Sequence, residues 1–421
     1  MFLRVRGLSA LLKRLAMTVL RMRVLLGCVC LAGATVQAAE DPRVEGVDFP
    51  IGRYVAQVGA DAWQFSNGRP EALLMMSTNT QWHYRPVSPW GTFSGTLMVS
   101  PKATMTLKVR SNQEMGSHVD ELSVDWMLSP RLGLKAGVVD YKTSWCRTYD
   151  IDSPWVREND PFCTVVTTSG PSGGAPGAQA YVNLLKGVYR IQGVAGIYSP
   201  LLMDYNTREF SNISYPLYHV DKNDKQGLSI NVLNLETATE FRLGLLGAQQ
   251  SAQVYRAWNT SPFYVEQTYR LLFAGVSLYL TPKINMRIQT LHHVMENKNL
   301  SYPGATLPHY QSGVSIKRAS NVLELTYQVD SQDMLAFAIN SYDYDYALTL
   351  SKYPFPGYTY DPNYYQYQQR AMSVAWRRDW ARGVFTVLQA TRGRLALEGT
   401  SVGREQLSAA NGFGFRLGYR F

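Results

Sequence analysis

Read backwards from its C-terminus, the chain alternates strictly. Phe421, Tyr419, Leu417, Phe415 and Phe413 occupy one set of positions, and Arg420, Gly418, Arg416, Gly414 and Gly412 the other. A two-residue period puts the two sets on opposite faces of a β-strand, one apolar and aromatic, the other only arginine and glycine. A terminal strand of a soluble sandwich seldom carries so charged an outer face, whereas a wall with lipid on one side and water on the other requires this division. The period recurs upstream: Phe93, Leu97 and Val99 lie opposite Ser94, Thr96 and Ser100, and Met105, Leu107 and Val109 lie opposite Thr104, Thr106, Lys108 and Arg110. Only Pro101-Lys102 separates these two runs, which is the length of a tight turn.

Related short turns follow. Ser100-Pro101-Lys102, Ser129-Pro130-Arg131 and Thr281-Pro282-Lys283 share one pattern, with further turns at Lys186-Gly187, Glu236–Thr239, Asp330–Asp333 and Ala381–Gly383. Between successive hairpins lie longer, polar, aromatic-rich segments: 143–178, 200–226, 249–266, 295–318 and 348–367. Seven hairpins supply fourteen strands. A first strand near Ala72–Tyr84 and a last one at Ala410–Phe421 bring the total to about sixteen, an even number, with both termini on the short-turn side. The fold class expected is therefore all-β: a transmembrane antiparallel barrel with short periplasmic turns and long external loops, spanning 72–421. Residues 39–71 are left as a periplasmic extension, a plug, or an extra strand pair that would make eighteen. The competing architecture, a secreted soluble propeller or sandwich, fits less well, because the hydrophobicity is spread as alternation over strands of about ten residues rather than in solid apolar runs.

The N-terminus agrees with export. Residues 1–38 hold six basic residues (Arg4, Arg6, Lys13, Arg14, Arg21, Arg23) and no acidic one, then an apolar run Val24–Leu31 and the small-residue exit Val36-Gln37-Ala38. That is a secretory signal peptide cut after Ala38, with Met17 and Met22 as alternative starts. Leu25-Leu26-Gly27-Cys28 imitates a lipoprotein box, but only three apolar residues precede Gly27. Removing the six basic residues reduces the formal net charge from +9 to +3, so no nucleic-acid partner is indicated. Past the signal no stretch approaches the roughly 18 apolar residues of a spanning helix. The exported chain keeps two cysteines, Cys146 and Cys163, for which a disulfide is the default in an oxidising compartment. The bridge would restrict the unfolded segment by roughly 3 kcal/mol; no metal-ligand cluster accompanies it.

The terminal Phe421 with Tyr419, joined to a signal peptide, resembles the final strand of bacterial outer-membrane proteins, whose C-terminal aromatic is read by the barrel-assembly machinery. Over 72–421 the architecture resembles the general porins. That resemblance implies a Gram-negative outer-membrane location, contact with outer-membrane lipid and lipopolysaccharide, a homotrimer, and passive diffusion of small hydrophilic solutes with no cofactor and no enzymatic step. In that family the third external loop folds into the barrel. Strand counting puts 143–178 in its place, although the family's Pro-Glu-Phe-Gly-Gly signature is absent and Pro171-Ser172-Gly173-Gly174 stands there instead. Inward folding would bring Arg147, Asp150, Asp152, Arg157, Glu158 and Asp160 towards the axis as candidate constriction residues; the alternative is a solvated surface loop.

Strand alternation assigns Lys108, Arg110, Lys135, Arg190, Arg242, Arg287, Arg377 and Arg416 to the water face, against Asp125 and Glu324. A charge on the lipid face would cost about 2 to 4 kcal/mol at mid-depth. A lumen of sixteen strands is too wide for side chains to fill, and a cationic wall concentrates anions, so a mild anion preference is expected. Tyr342, Tyr344, Tyr346, Tyr353, Tyr358, Tyr360, Tyr364, Tyr365 and Tyr367 crowd one hairpin and its loop. They fit interface and loop packing, or the binding track of a solute-specific channel. A plugged barrel with a structural or adhesive role is a third reading. The adjacent His292 and His293 suggest catalysis only weakly, since no Gly-x-Ser-x-Gly motif is present.

Overall fold

The computed structural model describes residues 51–66, 87–112, 116–139, 153–156, 175–198, 217–221, 225–256, 259–301, 312–350, 363–399 and 403–421. The strands are β1 (Ile51–Ser66), β2 (Val87–Ser100), β3 (Ala103–Asn112), β4 (Gly116–Met127), β5 (Leu132–Val139), β6 (Ala175–Lys186), β7 (Tyr189–Tyr198), β8 (Leu217–Asp221) and β9 (Lys225–Asn234). They continue with β10 (Glu240–Arg256), β11 (Asn259–Thr281), β12 (Ile284–Ser301), β13 (Ser312–Gln328), β14 (Asp333–Leu350), β15 (Asn363–Asp379), β16 (Val384–Gly399) and β17 (Gly403–Arg420). Neighbours in sequence pair antiparallel, and β1 pairs with both β2 and β17, so the sheet closes on itself. β8 and β9 both lie along β10, with Asp221 opposite Ser251 and Gln226 opposite Gly247, and form one stave in two segments. The barrel therefore has 16 strands.

Its polarity is inverted relative to a soluble protein. On β17, Phe413, Phe415, Leu417 and Tyr419, with Phe421 just beyond its end, are exposed while Arg416 between them is buried. The exposed set continues around the wall through Leu122, Val124 and Trp126 on β4, Leu243 and Leu245 on β10, and Met372 and Val374 on β15. Exposed apolar groups outside and buried charge inside are what lipid and an aqueous lumen select.

All seven short turns stand between the strands they were expected to join, and several share one device. The first polar side chain accepts backbone amides from the far side of the turn: Ser129 Oγ from Arg131 and Leu132 at 3.3 and 3.1 Å, and Thr281 Oγ1 from Lys283 and Ile284 at 3.3 and 3.1 Å. Asn234 Oδ1 accepts from Glu236 and Thr237 at 2.9 and 3.2 Å, and Asp330 Oδ1 from Gln332 and Asp333 at 2.7 and 2.8 Å. These are the short-range Asx and ST turns that such residues favour. The two amides at Asp330 hold its carboxyl below the usual carboxylate range. The turn is thus held at neutral pH, and its contribution fades as pH falls through that depressed value.

Two expectations are corrected. The first strand is Ile51–Ser66, so the barrel wall begins within the 39–71 segment rather than at 72, and Ala72–Tyr84 lies outside the described residues. Its alternation is weak because both faces are mixed: small residues such as Ala56 and Ala60 fall on the outer face, and Trp63 falls on the inner one. The total stays at the sixteen strands expected. Finally, most of 249–266 and 295–318 is strand, because the ladders of β10–β13 continue into polar sequence, where backbone pairing persists without an apolar face. Residues 1–50, with the signal peptide, lie outside the described residues.

The glycines of the arginine-glycine face have a packing reason. Trp63 stands opposite Gly414, Trp90 opposite Gly59 and Phe385 opposite Gly418, and each ring lies where the glycine's Cβ would be. Glycine lets a large ring lie flat on the neighbouring strand. At Gly59 an added Cβ would also strike the Leu417 carbonyl of the adjacent backbone, whereas at Gly193 nothing lies within 4 Å. Gly59→Ala should therefore lower stability by about 1 to 3 kcal/mol, and Gly193→Ala should leave it nearly unchanged. Urea unfolding in lipid vesicles, followed by tryptophan fluorescence, checks the contrast.

Candidate functional site: the lumen and its inserted loop

The segment joining β5 to β6 enters the barrel. Its described residues, Ser153–Val156, are buried, and they touch strands far from their own in sequence. Trp155 Nε1 donates to Glu324 Oε2 of β13 at 2.8 Å, and Val156 N donates to Gln389 Oε1 of β16 at 2.9 Å. Arg377 of β15 donates to the Ser153 carbonyl at 3.0 Å, and Arg416 of β17 to the Val156 carbonyl at 2.8 Å. The loop thus gives its backbone groups to side chains of the inner wall, as non-regular backbone within a membrane-spanning protein must. Around Trp155 and Val156 pack Trp63, Trp90, Phe385, Val387 and the small Ala336, Ala338 and Ala375. Three alanines on a face expected to be polar make the berth for the indole.

Each wall group that holds the loop is itself held. Arg416 makes a bidentate pair with Asp61 of β1, at 2.7 and 2.8 Å, and stacks over Trp90, 4.7 Å from the ring centre. Arg377 pairs with Asp379 at 2.8 Å and stacks over Phe385 at 4.7 Å. Arg287 pairs with Glu324 at 2.5 Å. Planar guanidinium groups suit this combined pairing, stacking and carbonyl donation.

Register places all ten residues expected on the water face on the inner face, and they divide into two groups. Arg287, Glu324, Arg377 and Arg416 lie on the far wall with the inserted segment and are nearly inaccessible. Lys108, Arg110, Asp125, Lys135, Arg190 and Arg242 lie on β3–β10, away from it. Here alternation counted the cations and missed their partners. Lys108 and Lys135 share Glu121, the former at 2.8 Å. Arg110 pairs with Asp120 at 2.9 Å and Arg242 with Glu240 at 2.6 Å. Asp125 accepts the Tyr181 hydroxyl at 2.5 Å. Asp61, Asp120, Glu121, Glu240 and Asp379 were missed because a bulge at Lys108–Val109 shifts the period of β3–β4 and the others lie near strand ends or on the unrecognised β1.

Of the remaining residues singled out in the sequence, Arg147, Asp150, Asp152, Arg157, Glu158, Asp160, Cys146 and Cys163 lie outside the described residues. His292 and His293 are adjacent in strand β12 and therefore face opposite ways, His293 inward and buried, His292 outward. Tyr342 and Tyr344 face the lumen, the latter under Arg318 at 5.4 Å. Tyr419 and Phe421 are in edge-to-face contact at 4.7 Å on the outer surface, and Phe421 N bonds the Ala56 carbonyl at 2.9 Å across the closing seam.

Removing Asp61 would strand a buried guanidinium. Asp61→Asn should cost about 3 to 5 kcal/mol and loosen Arg416 beneath Val156, which single-channel recordings would register as a noisier conductance than the parent's.

The sequence matches no family model and no curated protein. Among solved structures the chain is similar to the outer membrane channel DcaP of Acinetobacter baumannii, at 10% identity and TM-score 0.50, over 88% of this chain and 97% of that one. It is also similar to a loop-deletion mutant of OmpT, an outer membrane protein of Vibrio cholerae, at 10% identity and TM-score 0.49, over 89% and 100%. An anion-selective porin from Comamonas acidovorans aligns at 9% identity and TM-score 0.46, over 89% and 100%. With its closed wall and inverted polarity, the chain has the fold of the outer-membrane porins and channels.

Proposed function

We propose that the chain is an outer-membrane channel for passive diffusion of small hydrophilic solutes, with its open passage along the inner face of β3–β10 and a mild anion preference. The observation that carries this reading is the asymmetry of exposure among inward charges. Side chains of Lys108, Asp120, Arg242 and Glu240 are 37%, 25%, 23% and 21% exposed, with Glu121 covered beneath the two lysines at 1%, whereas Arg287, Glu324, Arg377 and Arg416 are 4%, 2%, 2% and 2% exposed and Asp379, at the turn end of β15, is 36%. Ser153–Val156 cover one side of the inner wall, and part of the charge on the other side is open to water. The preference is mild because nearly every cation there has a carboxylate partner. Lys108 and Lys135 share Glu121, and Asp125 stands directly opposite Lys135, so of the inward charges named on these strands the excess positive charge is that of the exposed Arg190. Such a residual field raises the local concentration of anions without binding them tightly. Passage needs neither a cofactor nor a covalent step.

A solute-selective channel is the second reading. It is favoured by one inner-face group on β12–β15: His293, Arg318 and Tyr344 in one row of the register, and Ser320, Tyr342 and Gln369 in the next. Aromatic faces beside amide, hydroxyl and guanidinium donors suit a polar solute with a flat face.

Planar-bilayer recording with reversal potential under a salt gradient tests both. Steady ohmic steps with anion-directed reversal are expected, and Lys108→Glu with Lys135→Glu should lower the anion-to-cation permeability ratio by at least about twofold. Saturable block by a single solute would favour the second reading. Absence of conductance from correctly folded protein would reject both.

A further inference from the structure

Inward rings of the wall repeatedly lie against a glycine, but their surroundings differ. Trp63, Trp90 and Phe385 are buried with the inserted residues, and Tyr198 is buried over Gly196 and Gly227. Tyr181 of β6, alone of these, keeps part of its surface exposed. Its side chain crosses β5 over Gly133, where a Cβ would collide with the tip of the ring, and its hydroxyl donates to Asp125 Oδ1 of β4 at 2.5 Å. The ring is thus fixed at both ends, on β6 by its own backbone and on β4 by Asp125, and lies along the wall between them. One side rests on β5, and the other is turned to the passage along β3–β10. Among the described residues no second ring or guanidinium stacks on it.

Beside the ring runs a row of amides. Register places Asn183 of β6, Gln192 of β7 and Asn231 of β9 side by side on the inner face, two residues along β6 from Tyr181, and Arg242 of β10 ends the row. Gln192 Nε2 donates to Asn183 Oδ1 at 3.0 Å. Asn231 Nδ2 donates to Glu240 Oε1 at 2.8 Å, which also accepts Arg242 Nε at 2.6 Å. Asn183 Nδ2, Gln192 Oε1 and Asn231 Oδ1 have no protein partner among the described residues. At a strand spacing of about 4.8 Å the row therefore presents a donor and two acceptors next to an aromatic face. Its charges are matched, Arg242 by Glu240 and the nearby Lys135 by Asp125 directly opposite. Matched charge and neutral amides give an ion no preferred seat; they suit an uncharged solute whose groups both donate and accept.

We propose that Tyr181 and the Asn183–Gln192–Asn231 row bind neutral pyranose sugars in transit, the C–H face of the sugar on the ring and its hydroxyls on the amides. An open-chain polyol could bond the amides but has no face for the ring, whereas a pyranose has both. The site rests on the open passage along β3–β10 and gives that passage a class of solute.

Planar-bilayer recording of the full chain with maltotriose added tests this, with cellotriose as a second pyranose and sorbitol as the open-chain control. Saturable block by both trisaccharides is expected, since a ring face and an amide row read a class of solutes rather than one, and sorbitol should not block. The half-blocking concentration should rise about fivefold in Tyr181→Leu and about threefold in Gln192→Leu. It should stay unchanged in Tyr327→Leu, which loses an exposed ring on the outer face of β13. Tyr181→Phe, which keeps the ring and loses only the bond to Asp125, should retain most of the block. Where Tyr181→Leu does not insert, Gly133→Ala should weaken the block instead, because the added Cβ displaces the ring tip. Open channels that neither sugar blocks, equal block by sorbitol, or block that survives Tyr181→Leu and falls in Tyr344→Leu would overturn the proposal and leave passive diffusion standing. Folded protein without conductance would overturn the open passage and the sugar site together.

Discussion

A backbone amide facing lipid has no water to bond, so each strand in the membrane needs a partner on both sides. That single requirement closes the sheet. The closure falls between the two ends of the chain: β1 pairs with β17 from Gln57–Arg420 to Ser66–Asn411 and with β2 on its other edge. The seam is reinforced from within by the bidentate Arg416–Asp61 pair and at its foot by the Phe421–Ala56 backbone bond. An antiparallel sheet closed this way needs an even number of staves, which the two-segment β8–β9 stave satisfies.

Closure at sixteen strands leaves more interior than wall side chains can fill. The chain fills part of it with its own segment. Trp155 and Val156 fit against β13–β17 because the wall there is carved by Ala336, Ala338 and Ala375, and because Arg377, Arg416, Glu324 and Gln389 supply partners for an indole and for exposed backbone groups. Buried ion pairs are poor sources of net stability, but they position their members firmly. Here the positioned arginines do two jobs: Arg416 ties β17 to β1 and also holds Val156, so the seam and the inserted residues share one side chain. The consequence for permeation is spatial. Arg287, Glu324, Arg377 and Arg416 on the packed side are withdrawn from water, and Lys108, Arg242 and Glu240 on β3–β10 keep part of their surface exposed.

The outer surface divides in the same way by height. Apolar side chains occupy the middle of the wall, and polar ones return towards the strand ends remote from the short turns, mixed in sign over most of that rim and arginine-rich at β15–β16. The wall therefore has two electrostatic faces, one turned to solutes and one to the membrane edge, on alternate residues of the same strands.

The sequence by itself determined the class of fold, the seven tight turns and which face of most strands meets water, because each depends on a two-residue period or on a short-range bond from Ser, Thr, Asn or Asp. It also placed the loop between strands five and six by counting alone. It could not see β1, whose outer face holds small residues and whose inner face holds Trp63, so its period is blurred. It could not see that Glu121 lies between Lys108 and Lys135, because a bulge breaks the alternation just there. Nor could it give the bonds from Ser153–Val156 to Arg377, Gln389 and Arg416, which join residues more than 200 positions apart. The inward alanines at 336, 338 and 375 mark that berth only in the folded wall. Which charges are paired, which are covered and which still face water is decided only by closure of the barrel, since closure brings residues such as Asp61 and Arg416 within bonding distance.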